Sequence, residues 1–191
     1  MQIKRVIESI NALPNRWVRL EQIRTMPSQL ELRFEVHREG RPSKKIGAWT
    51  VLCEGVLDAS IPDFDGGGLA LYSTAHPASR QFTARQADLS WLPVTDEATT
   101  LGTLYYAHKE AVDDWIPFDR YLPANIVRGK RCSCRGPEFL MRSYAKALRK
   151  NREDARLTVR GDAKSRHDRP KVLHFGESFV VAARLSAERT A

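Results

Sequence analysis

The clearest pattern in the chain is a strict alternation of apolar and polar residues between Gln29 and His37. Leu30, Leu32, Phe34 and Val36 occupy every second position, and charged residues fill the positions between them. Successive side chains of a strand point to opposite faces. The segment therefore predicts a β-strand with one buried face and one solvated face.

Several other segments have the composition of strands. Turn-forming residues at 40–43 and an apolar segment at 46–61 predict that the first strand pairs with a longer one in a hairpin. The glycine-rich segment 63–68 predicts a loop, because glycine loses most backbone entropy inside a regular element. Shorter apolar segments predict further strands at 69–72, 87–92, 155–160 and 171–186.

Helical spacing appears in three segments. A short N-terminal helix is predicted by apolar residues three and four apart, at Ile3, Val6, Ile7, Ile10 and Leu13. Thr95 is the predicted N-cap of a second helix, whose apolar stripe is Ala98, Leu101, Leu104, Tyr105, His108 and Val112. Proline at the start of a third helix, at Pro137, precedes an apolar face of Leu140, Met141, Tyr144 and Leu148.

These elements predict an α+β fold. We expect an antiparallel sheet of about six strands, covered by two main helices and a short N-terminal helix. The chain has 191 residues, which favours a single domain over 1–191, with a basic C-terminal portion at 128–171.

The positive charge is unevenly distributed. The formal net charge is +8, yet the segment 128–171 alone contains fifteen Lys and Arg against five Asp and Glu. A local excess of this kind predicts an electropositive surface that meets an acidic partner. The candidate binding residues are Arg128, Lys130, Arg131, Arg135, Arg142, Lys146, Arg149 and Lys150.

No motif for catalysis or cofactor binding is present, so we predict no catalytic residue, no metal site and no cofactor. A site assembled in space from His76 or His108 with Asp63, Asp65 or a cysteine is the alternative that would make the chain an enzyme.

Cys53, Cys132 and Cys134 form an odd set, which favours reduced thiols. Glu8 and Asn11 interrupt the apolar run of a signal peptide, and no apolar segment is long enough to cross a bilayer. We therefore expect a cytoplasmic protein without a membrane partner.

One set of features occurs in an order that resembles a family of small bacterial proteins of unknown function. The features are His76-Pro77 before a strand, Leu104-Tyr105 and His108 on the next helix, Trp115, then Gly136-Pro137 with Tyr144 and Leu148, and a closing strand at 175–182. The resemblance covers about two thirds of the chain and implies a compact bacterial accessory protein. It assigns no catalytic residue.

Three hypotheses about function follow. The first is a non-catalytic accessory protein of the bacterial cytoplasm, for instance of the immunity type, that binds an acidic protein partner. The second is binding of the nucleic-acid backbone through 128–171, which would weaken steeply with salt. The third is the enzyme with a spatially assembled site. The sequence leaves the oligomeric state open.

Overall fold

A computed structural model of the chain describes residues 2–40, 42–62, 64–122, 131–161 and 169–190. The chain divides into two compact units, which we call the sheet unit (Met1–Ser79 with His167–Ala191) and the helix-pair unit (Arg80–Arg166). The expected α+β class is confirmed, since the described residues form four α-helices and ten strands. Folding of the whole chain as a single domain stays a prediction.

Among its described residues, the sheet unit contains one complete helix and seven strands, labelled here in the order of the whole chain. They are α1 Ile3–Asn11, β1 Arg16–Met26, β2 Gln29–Arg38, β3 Lys44–Ser60, β4 Asp65–Gly66, β5 Leu69–Tyr72, β9 Lys171–Phe175 and β10 Ser178–Thr190. All seven strands belong to one antiparallel sheet with the order β4-β1-β2-β3-β10-β9-β5.

The predicted alternation in β2 is confirmed and supplies much of the core of this sheet. Leu32, Phe34 and Val36 are completely buried, and the ring of Phe34 meets that of Phe175 edge to face at 5.0 Å. The predicted β2–β3 hairpin is also present. The sequence analysis missed β1, because beyond Leu20 most of its side chains are exposed and show no apolar alternation.

The large sheet curls until its two ends approach each other. Gly66 lies in the edge strand β4, yet a Cβ atom on it would be 2.7 Å from the backbone nitrogen of Gly176, in the β9–β10 turn. Asn11, at the end of α1, fixes the opposite edge strand β5. Its side-chain amide donates to the carbonyl of Leu69 at 2.6 Å, and its carbonyl accepts from the Leu69 N–H at 3.3 Å.

Two strand predictions need correction. The segment 63–68 is not only a loop, because it contains the two-residue strand β4 that pairs with β1. The segment 171–186 is not one strand but the β9–β10 hairpin, which turns at Gly176 with a positive φ of 54°. Apolar residues on both sides of Gly176 favoured one continuous strand, since a single Gly also occurs within strands.

The helix-pair unit has two layers. Its elements are β6 Gln86–Trp91, α3 Glu97–Val112, β7 Cys132–Pro137, α4 Glu138–Lys150 and β8 Arg156–Arg160, and α2 Pro77–Thr83 leads into them. The strands form a second antiparallel sheet in the order β7-β6-β8. Helix α4 covers one face of this sheet, where Cys134 and Met141 bring their sulfur atoms within 3.5 Å.

The start and the buried face of α3 differ from the prediction. The N-cap is Asp96, not Thr95, because its carboxylate accepts a hydrogen bond from the Thr99 N–H at 3.0 Å. Tyr105 is not part of the buried stripe but is 44% exposed, and the smaller Ala107 is buried instead. Helix α2 was not predicted, and it occupies the position directly after His76 where a strand was expected.

Candidate functional site

The two main helices run antiparallel to each other. Near the start of α3, the hydroxyl of Thr103 accepts a hydrogen bond from the Asn151 side chain at 2.5 Å, just beyond the end of α4. Further along α3, the His108 ring lies 2.7 Å from the hydroxyl of Tyr144 in the middle of α4. These two contacts fix the register of the helix pair.

His108 has a structural role in this helix pair. It belongs to the predicted apolar stripe of α3 and is only 1% exposed. Its Nε2 lies 2.6 Å from the carbonyl oxygen of Ile116, which can only accept, so Nε2 carries the proton. Nδ1 therefore accepts from the Tyr144 hydroxyl. Burial lowers the pKa of His108, which favours this neutral form.

The outer face of α4 carries four cations, as the sequence predicted. We call Arg142, Lys146, Arg149 and Lys150 the basic stripe, and all four are exposed. Two of them are engaged within the unit. Arg142 forms a salt bridge with Glu138 at 2.6 Å, and Arg149 donates to the carbonyl of Ala155 through Nε at 3.0 Å and a terminal nitrogen at 2.8 Å.

Lys146 and Lys150 differ from the two arginines in their contacts within the described part of the chain. Neither forms an ion pair or a hydrogen bond with any residue that the structure describes. They lie one helical turn apart on α4, so both ammonium groups project along the same side of the helix. The stripe thus offers a ligand two cations that no salt bridge with a described residue occupies.

These lysines form one wall of a groove between α3 and α4 with a volume of about 390 Å³. Small side chains, including Ala107, Ala111 and Ala147, form its floor. The opposite wall is formed by Tyr106 and Glu110 of α3. The side chain of Tyr106 is 75% exposed, which is unusual for a large aromatic residue.

The same lysines also border a second hollow, on the other side of α4. This hollow has a volume of about 370 Å³ and is lined by the basic stripe together with Ala145 and Leu157. The stripe is therefore a ridge with a depression on each side. Such relief gives a ligand contact with the stems of the lysines as well as with their charges.

The remaining predicted binding residues do not join the stripe. Arg135 projects from the sheet face that points away from α4, where it forms a salt bridge with Asp88 at 2.6 Å. Arg160 binds the other oxygen of Asp88. These two arginines, Arg135 foremost, lower the pKa of the carboxyl group. Arg131 is exposed just before β7, whereas Arg128 and Lys130 lie outside the described residues.

The cysteines and the other candidate residues form no arrangement with obvious reactivity. Burial raises the pKa of the Cys53 and Cys134 thiols to about 12, so both are protonated at neutral pH. His76 stacks on Tyr72 with a ring separation of 4.5 Å. Asp65 lies 3.8 Å from Arg19, and Asp63 is outside the described residues.

Within the described ranges, no group of three or more His, Cys, Asp or Glu side chains is placed to hold a metal ion. The described helices are all too short or too polar to cross a bilayer.

The fold and the helix-pair surface define an α+β protein of two antiparallel sheets with an exposed basic helix. Comparisons with known protein families, with curated proteins and with solved structures found no match to this chain. The function is therefore inferred from the geometry of the helix pair.

Sequence reasoning found the basic stripe but missed the groove beside it. A signal was present, because small residues recur every four positions on both helices, at Thr103, Ala107 and Ala111 and at Ser143 and Ala147. This spacing places them on one side of each helix. Tyr106 was not singled out, since its neighbour Tyr105 matched the apolar stripe better.

Proposed function

We propose that this chain is a non-catalytic binding protein that engages an acidic protein through the outer surface of its helix pair. The observation that carries the proposal is the pair Lys146 and Lys150, which are exposed, have no ion pair with a described residue and share a groove with the exposed ring of Tyr106. Aromatic residues are enriched at protein interfaces, and uncompensated charges supply complementarity and fast association. An accessory role in the bacterial cytoplasm, of the immunity type or within the small bacterial family the sequence resembles, belongs to the same proposal.

The nucleic-acid hypothesis is the second candidate, favoured by the density of cations along α4. Phosphate binding would use Lys146 and Lys150 as well, but Glu110 faces the same groove and would repel a phosphate backbone. Arg142, already neutralised by Glu138, adds little to a phosphate site. A protein ligand, which carries both charge signs and apolar groups, suits the surface better.

The enzyme hypothesis has less support. His108 uses both ring nitrogens in hydrogen bonds within the core, and two of the three thiols have raised pKa values. None of the hollows on the helix pair described above is lined by a histidine. Among the described residues, no histidine therefore stands beside either of these two hollows to act as a general base.

A capture experiment with matched charge reversals tests the proposal. The purified chain is immobilised as wild type, as Lys146→Glu/Lys150→Glu, and as Lys44→Glu/Lys171→Glu. The second double variant makes the same change of charge at two exposed lysines of the sheet unit that have no partner among the described residues. The proteins that each form captures from a cell lysate are quantified by isotope-labelled mass spectrometry, with and without nuclease treatment of the lysate.

We expect an acidic protein that is retained by the wild type and the Lys44/Lys171 variant and lost by the Lys146/Lys150 variant. Capture that disappears after nuclease treatment would replace this proposal with the nucleic-acid hypothesis. Equal capture by all three forms would show that the basic stripe is only a solvated surface.

A further inference from the structure

The α3–α4 groove has the shape of a site for a helix. Its small floor residues lie at successive turns of the two antiparallel helices, from Thr103 beside Asn151 to Ala111. Eight residues of α-helix extend over about 12 Å, so the groove accommodates roughly two turns of a third helix. Small floor residues let such a helix approach closely, and ridges of side chains pack well into a groove of this kind.

The walls of the groove differ in charge and would orient the ligand. Lys146 and Lys150 are four residues apart on one wall, and Glu110 stands on the other. Acidic residues spaced by four on a ligand helix have the same repeat as the two lysines. A ligand helix could turn its acidic edge toward the lysines of α4 and its apolar face toward Ala107 and Ala147. Its acidic side chains would then lie away from Glu110.

Tyr106 supplies an aromatic anchor at the rim. Its ring is 6.0 Å from that of Tyr105, which in turn meets Phe118 edge to face at 5.5 Å. A tyrosine side chain has few rotatable bonds, and the Tyr105 ring borders that of Tyr106 on one side, so little entropy is lost when a ligand covers Tyr106. Exposed aromatic residues with little rotamer freedom are typical of interface hot spots.

We propose that the α3–α4 groove binds one amphipathic helix of an acidic protein, with Tyr106 as its anchor and Lys146 and Lys150 paired to acidic side chains at i and i+4. This inference rests on the proposed function and adds the class of ligand. A second copy of this chain fits the groove poorly. If the grooves of two copies faced each other, each copy would bring its own basic stripe to the interface. The lysines would repel one another, because Glu110 is the acidic residue in the groove lining.

Selection of peptides tests the inference directly. A library of random 16-residue peptides is displayed and selected on the immobilised full chain, and the enriched peptides are synthesised. Their affinities are measured by fluorescence anisotropy for the wild type and for Tyr106→Ala, Ala147→Gln and Lys146→Glu/Lys150→Glu. Ala98→Gln is the matched control, since Ala98 is exposed on α3 and does not line the groove. Circular dichroism of the peptide reports whether it becomes helical when bound.

We expect enriched peptides with acidic residues at i and i+4, which become helical when bound. Tyr106→Ala and Ala147→Gln should each weaken binding at least about tenfold, corresponding to about 1.4 kcal/mol. The lysine variant should weaken it further and flatten its dependence on salt, whereas Ala98→Gln should change it less than about twofold. Tyr106→Ala removes an exposed side chain, so its effect does not depend on refolding of the core.

The results distinguish a failure of the groove inference from a failure of the proposed function. Acidic peptides that lose binding only in the lysine variant would overturn the groove inference and leave the proposed function standing. Peptides without acidic character, or no enrichment at all, would overturn the assigned ligand class, and the capture experiment would then decide the proposed function on its own. Dimerisation of the wild type that Ala147→Gln abolishes would assign the groove to a second copy and overturn the inference.

Discussion

The two units differ in how their exposed cations are arranged. In the sheet unit, charged side chains on neighbouring strands offset one another, as in the ion pair of Arg33 with Glu21 at 3.0 Å and that of Lys45 with Glu35. In the helix-pair unit, Lys146 and Lys150 stand exposed without such a partner among the described residues. Ion pairs at the surface contribute little to stability, so the contrast concerns available charge more than folding. Lys44 and Lys171 of the sheet unit are also exposed without such a partner in the described part of the chain, but they lie on separate strands, β3 and β9, whereas Lys146 and Lys150 are one turn apart on α4 beside a groove. The arrangement of the charges therefore favours the helix pair as the binding surface.

The cores of the two units also differ. The sheet unit buries long alternating strands, and its central side chains are apolar. The helix-pair unit instead contains a buried polar contact, His108 with Tyr144, in the middle of its core. A buried polar pair fixes one register but becomes costly when one partner is removed. The predictions below test these differences.

The largest effect is expected for Phe34→Ala in the sheet unit. Phe34 is completely buried and packs edge to face on Phe175, so its removal should cost about 3–5 kcal/mol of unfolding free energy. Hydrogen exchange monitored separately in each unit measures the loss. Parallel loss of protection in the helix pair would confirm the single domain expected from the sequence, and unchanged protection there would contradict it. Unchanged protection in β2 itself would refute the assigned core.

Gly66→Ala should have the next largest effect. A Cβ atom at this position would meet the backbone nitrogen of Gly176 at 2.7 Å, and backbone cannot move aside as a flexible side chain can. We expect a loss of about 1–3 kcal/mol by the cost of overpacking, measured by chemical denaturation. Gly67→Ala is the control, because no atom lies within 4 Å of its added Cβ. Equal stability of the two variants would mean that the sheet does not curl as described.

Tyr144→Phe tests the polar contact in the helix-pair core. The change removes the hydroxyl that donates to Nδ1 of His108, leaving a buried acceptor unpaired, so stability should fall by about 1–3 kcal/mol at neutral pH. Loss of the donor also destabilises neutral His108, so its lowered pKa should rise toward the usual 6.5. A proton NMR titration of the His108 ring measures this change. An unaltered titration would show that Tyr144 does not hold the neutral form.

The sign of the pH dependence follows from the same lowered pKa. Below about pH 6.5, His108 binds a proton in the unfolded chain but not in the folded chain. The free energy of unfolding therefore falls as the pH is lowered toward the pKa of the folded state. In Tyr144→Phe this loss should be smaller, because the folded and unfolded pKa values are closer. His76 and His174 of the sheet unit also have pKa values lowered by burial, so the comparison requires exchange rates of helix-pair amides.

The extent to which sequence predicted each unit reflects physical differences between strands and helices. The alternation of β2 and the apolar face of α4 predicted their buried residues correctly, since a period of two or 3.6 maps directly onto a face. Strand β1 was missed because most of its side chains beyond Leu20 are exposed and show no period, and the β9–β10 turn was missed because a single Gly does not by itself distinguish a turn from a strand. The basic stripe was visible as a local pattern. The groove was not, because it exists only where α3 and α4 meet in a particular register.

The smallest expected effect, and one of opposite sign to Gly66→Ala, is that of Gly102→Ala in α3. Gly102 lies within the helix, and no atom is within 4 Å of an added Cβ, so alanine fits without displacing its neighbours. Alanine restricts the unfolded chain more than glycine does, so we expect a gain of up to about 1 kcal/mol, seen as a higher melting temperature. Peptide affinity should stay within about twofold of the wild type, since Gly102 does not line the α3–α4 groove. A loss of stability would mean that α3 packs more tightly around this position than described. A gain would show that glycine is dispensable at this position of α3, and a loss in Gly66→Ala would show that it is required where backbones meet in the sheet unit.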